Sequence, residues 1–102
     1  MKQMDILITK IIQAVIAVYK VDVTRIGKGK YKEALLMLKF FVLYCKTHGI
    51  YYKSLTTFLN RNLDSVQKHG ARINQLTKEY RWLYNYYRDF ETKIDNYLQE
   101  NI

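Results

Sequence analysis

The stretch FLNRNLDSVQKHGARI, Phe58–Ile73, decides how the chain is read. Helical apolar spacing stops at Leu59, three polar residues follow, and a second helical pattern begins. Asn60-Arg61-Asn62 supplies a turn. Asn62 is a strong N-cap type, because its side-chain oxygen can accept from an orphan N–H of the next helix's first turn. Asp64 then places negative charge where the helix dipole favours it. Upstream, Leu55, Phe58 and Leu59 face inward on a short helix over 51–60. Downstream, Leu63, Val66, Ile73 and Leu76 continue a three-four spacing, with Gly70 on the same side, where it leaves room for another helix. One longer helix would serve packing equally well. The corner therefore implies that the second helix is presented to something.

Working outward, apolar positions over 4–19 recur with helical spacing in a wide stripe. Asp22 can cap a short turn, Val-Thr-Arg-Ile, that ends at Gly27. GKGKYK, residues 27–32, reads as a basic loop, either a plain surface connection or an arm that touches phosphate. Residues 32–47 form a helix that is apolar nearly all round and so belongs at the centre, with Lys39 and Lys46 on one solvent stripe. Gly49 ends it, with His48 in its last turn. At the C-terminal end, Ile73, Leu76, Tyr80, Leu83, Tyr87, Phe90, Ile94 and Tyr97 alternate in steps of three and four, a heptad seam along a helix over about 77–99. That seam packs on the first helix of the same chain or, alternatively, joins two chains as a homodimer through Tyr80, Leu83, Tyr87, Phe90 and Ile94. Tyr84 and Tyr86 lie beside it.

With 102 residues, no proline and four glycines, the chain reads as one all-α domain. Cys45 is the only cysteine, so there is no intramolecular disulfide, and Cys45 with His48 and His69 makes no metal site. The acids are single and scattered, and no catalytic set stands out. No cofactor or small-molecule substrate is expected. The most apolar run, ALLMLKFFVLYC, is too short for a membrane span, and no signal-peptide pattern is present. A soluble cytoplasmic protein, located on the nucleoid, is the expectation. The net charge is +8, and residues 25–72 alone hold ten basic side chains against Glu33 and Asp64. The whole excess lies around the corner, as a polyanion-binding face requires.

The corner has the grammar of a helix-turn-helix over about 51–75: apolar anchors, a polar turn, a cap, then a basic helix. In that motif the start of the second helix meets base edges in the major groove. The candidate DNA contacts are Arg61, Asn62, Asp64, Ser65, Lys68, His69 and Arg72 on the second helix, and Lys53 and Ser54 on the first. Lys28, Lys30 and Lys32 of the basic loop would meet phosphate or the minor groove. Arginine can bond guanine bidentately, asparagine adenine, and aspartate can accept from cytosine.

Read as a series of segments, the chain resembles the C-terminal DNA-binding domain of the bacterial replication initiator DnaA. Tyr19, Lys20, Val21, Val23 and Ile26 echo the family's Tyr-Lys-Val-x-Val-x-x-Leu phrase. Arg61, Ser65 and Val66 match three positions of its Arg-Asp-His-Ser/Thr-Thr-Val signature. Asn62, Leu63 and Asp64 depart from it, and no Walker motif is present. The resemblance implies a small helical bundle, DnaA C-terminal or Trp-repressor-like, whose long last helix packs on the first. It implies a double-stranded DNA partner and a role in replication or transcription. The alternative is an interaction module that kept this fold and binds a protein through its Tyr-rich C-terminal face.

Overall fold

The computed structural model describes residues 3–26 and 32–101, and all regular structure in them is helical. Five α-helices follow one another: α1 (Gln3–Tyr19), α2 (Lys32–Thr47), α3 (Tyr52–Leu59), α4 (Leu63–Glu79) and α5 (Arg81–Glu100). A single 3₁₀ turn, Val23–Arg25, follows α1. Asp22 caps that turn as its sequence suggests, accepting from the Thr24 N–H and hydroxyl.

α2 is the central element. Met37, Leu38 and every residue from Phe40 to Cys45 are buried, as expected of a helix apolar on all sides. α4 packs on α2 and α3, while α5 packs on α1 and α4. Phe90 of α5 is the aromatic hub. It stacks on Tyr19 at 5.3 Å between ring centroids, meets Phe40 at 5.4 Å, and meets Tyr44 and Tyr87 at 6.2 Å. At the end of α2 the Tyr44 hydroxyl donates to Asp95 of α5. Burial first, and that carboxylate second, hold the Tyr44 phenol above its ordinary range. His48 stacks on the same tyrosine at 4.0 Å and sits 3.7 Å from Asp95, so it acts as a structural residue at this junction.

The heptad seam is occupied within the chain. Leu83, Tyr87, Phe90 and Ile94 are at most 5% exposed, so in this fold they offer no surface to a second copy. Tyr80, expected on the same seam, is 48% exposed. It stands at a break. α4 runs past the expected limit near residue 75 to Glu79, and α5 starts at Arg81 rather than near 77. Tyr80 is extended (φ −117°, ψ 114°); its N–H still donates to the Leu76 carbonyl, and its own carbonyl accepts from Leu83 and Tyr84. An unbroken helix from Leu63 to Glu100 would run about 57 Å. The molecule is 37 Å in its longest dimension, so the chain must turn for Phe90 and Ile94 to reach α1.

Candidate nucleic-acid interface

The corner forms through complementary caps. α3 ends in a Schellman arrangement: Asn60 adopts the left-handed conformation (φ 51°, ψ 45°), its N–H donates to the Thr57 carbonyl, and the Arg61 N–H reaches back to Thr56. Asn62 is extended, and its side-chain oxygen accepts from the Ser65 N–H at 2.8 Å. Three residues therefore satisfy two orphan carbonyls at the end of α3 and one orphan N–H at the start of α4. Val66, Gly70 and Ile73 point α4 into the core, and Leu55 and Leu59 do the same for α3. Gly70 permits the approach. The Tyr52 ring of α3 lies so close that a Cβ on residue 70 would stand 2.6 Å from its Cζ. Lys46 of α2 lies over the same ring, 5.1 Å from its centroid.

The start of α4 is uncovered. Asn62, Leu63 and Asp64 are exposed, Ser65 is half-buried, and Lys68 and Arg72 project to solvent one and two turns on. Asp64 and Lys68 pair at 3.0 Å on this exposed surface, a contact worth about 0.3–0.5 kcal/mol. Lys53 is exposed on α3 and lines a shallow groove with Arg61, Asn62 and Leu63. Ser54 is half-buried in the first turn of α3, its N–H donating to the Tyr51 carbonyl.

Arg61 is not a free finger. It is half-buried, and its Nη2 donates to the Ile26 carbonyl at 3.1 Å, tying the corner to the end of the 3₁₀ segment. A guanidinium has five donors, and among the described residues this is the one bond its side chain makes. Lys28 and Lys30 lie outside the described residues. Lys32 is exposed at the start of α2, about 10 Å along the axis from Lys39.

Lys39 itself belongs to the patch, although sequence reasoning placed it only on a solvent stripe. It lines a second groove, between α2 and α4, with Lys68, His69 and Arg72. Burial, then Arg61, then Lys39 push the His69 imidazole below its ordinary pKa. Arg61, which lines the first groove, and Lys39, which lines the second, both disfavour the charged form of His69. A periodicity argument could find the α2 stripe but not the helix it faces.

A different surface lies at the α4–α5 elbow. Trp82 is 64% exposed, beside Tyr80 and Tyr84 at 48% and 43%. Trp82 falls off the heptad seam, which is the sequence signal for its outward position. Among the described residues no cluster of His, Cys, Asp and Glu could hold a metal ion, and no helix is long and apolar enough to cross a membrane. No protein-family model, curated protein or solved structure matches this chain.

Proposed function

We propose that this chain binds double-stranded DNA through the α3–α4 corner, used as a helix-turn-helix of the kind that the DnaA resemblance implies. The start of α4 enters the major groove, and the surrounding cations hold phosphate. The observation that carries the reading is the uncovered start of α4 with Lys53 and Arg61 in the groove beside it, and Lys39, Lys68 and Arg72 lining a second groove farther along the same helix. Phosphate contacts supply affinity, while Arg61 and Asn62 supply sequence preference. A place on the nucleoid and a role in replication or transcription follow from the same reading.

Titration of a short duplex over a salt series tests it. About six phosphate contacts give a log–log slope near −5. Lys68→Ala should weaken all sequences about equally, whereas Arg61→Ala should erode discrimination between sites by about 1–3 kcal/mol. A binding curve unmoved by salt rejects the reading.

The exposed Tyr80, Trp82 and Tyr84 favour a second reading, a protein-binding face, because tryptophan and tyrosine anchor many interfaces. Trp82→Ala separates the two. It leaves duplex affinity unchanged if DNA docks on the corner.

A further inference from the structure

We propose that the groove between α2 and α4, walled by Lys39, Lys68, His69 and Arg72, is a phosphodiester clamp that tightens when His69 takes up a proton. The proposal rests on the DNA-binding reading and adds a site and a regulation to it. The groove is built from two elements, with Lys39 reaching in from α2 and the other three side chains from α4. Ala71 and Gln75 complete its wall, and their neutral side chains add no charge to compete with an anion.

Among the described residues, the charged groups around His69 come from the corner, α2 and α4. Arg61 approaches from the corner and Lys39 from α2, and both oppose protonation, as does burial. Lys68 and Arg72 flank it on α4. Of the carboxylates, Asp64 is paired with Lys68, and Glu79 accepts from Gln75 at 3.0 Å one turn beyond. The free groove therefore holds several cations around a neutral imidazole. A phosphodiester reverses that balance. Its charge offsets the lysines and the arginine, and its oxygens accept from an imidazolium. Lys68 is released from an exposed pair of small worth, so Asp64 is a weak competitor.

The sign follows from linkage. His69 binds its proton less readily in the free protein than an ordinary histidine, and more readily against phosphate. Affinity therefore rises as pH falls through the interval between those two states, and it is level above and below.

The test is duplex binding by fluorescence anisotropy at constant ionic strength, with the full chain and a duplex of mixed sequence. An opposite charge beside a titrating group favours its charged form by about tenfold or more, so affinity should rise about tenfold between about pH 7.5 and about pH 5.5. His69→Gln should bind with the wild-type affinity of the alkaline end and show no slope. His48→Gln, altered at the α2–α5 junction, should track wild type. Lys39→Gln supplies a second readout: it should weaken all duplexes and raise the midpoint of the His69 ring resonance in an NMR titration of the free protein. A wild-type affinity flat with pH, or a His69→Gln variant that keeps the slope, overturns the clamp while leaving duplex binding intact. An unmoved His69 midpoint in Lys39→Gln also overturns it. Absence of duplex binding at any pH overturns both the clamp and the reading beneath it.

Discussion

Gly70→Ala should change sign with its neighbour. In an ordinary helix interior this substitution stabilises by about 1 kcal/mol, because alanine loses less backbone freedom on folding. Here the new Cβ would fall 2.6 Å from Tyr52 Cζ and 2.8 Å from Cε1, and real Cβ atoms do not approach so closely. The ring must swing away from α4. It then loses the partial burial it has, about 1.5 kcal/mol for a half-buried ring, and the Lys46 contact, worth about 0.5 kcal/mol. The net expectation is a loss of about 1 kcal/mol in the wild-type background. With Tyr52→Ala made first, the obstacle is gone and Gly70→Ala should gain about 1 kcal/mol. The coupling is then about 2 kcal/mol, well above the scatter of additive sites. Urea unfolding of the four proteins, compared at a shared slope, measures the cycle. A stabilising Gly70→Ala in wild type, or equal effects in both backgrounds, would refute the claim that Tyr52 on Gly70 sets the distance between α3 and α4.

Two further perturbations probe the frame that holds the interface. Asn62→Ala removes the acceptor of the Ser65 N–H and should cost about 1 kcal/mol by chemical unfolding, while Asn62→Asp should retain most of that stability. Phe90→Ala should cost about 4 kcal/mol of a total of roughly 5–15, whereas Tyr80→Ala should stay within about 0.5. If the two cost the same, α5 is not part of the core.

Much of the fold was legible in sequence. α2 lies at Lys32–Thr47, the limits its composition suggests, because an all-apolar run leaves few alternatives and Gly49 ends it in a left-handed turn (φ 80°). The corner was legible for a similar reason. Asn60 and Asn62 are types that tolerate a left-handed cap and an N-cap, and local hydrogen bonds within a few residues decide both. The elbow at Tyr80 was not legible. No glycine or proline marks it, and the three-four spacing runs through it unbroken. The bend brings Phe90 of α5 onto Tyr19 of α1, a contact that no local pattern expresses.

The candidate interface divides in the same way. Sequence by itself determined that the chain is helical, that its charge is concentrated in residues 25–72, and that a capped helix starts after Arg61. Helix periods, caps and charge counts depend on residues a few places apart, so a single strand of text carries them. Only the tertiary structure decided that Arg61 is held by the Ile26 carbonyl, 35 residues earlier, and that Lys39 stands beside His69. Those relations depend on which helices pack together and at what rotation, a choice made by the whole core at once.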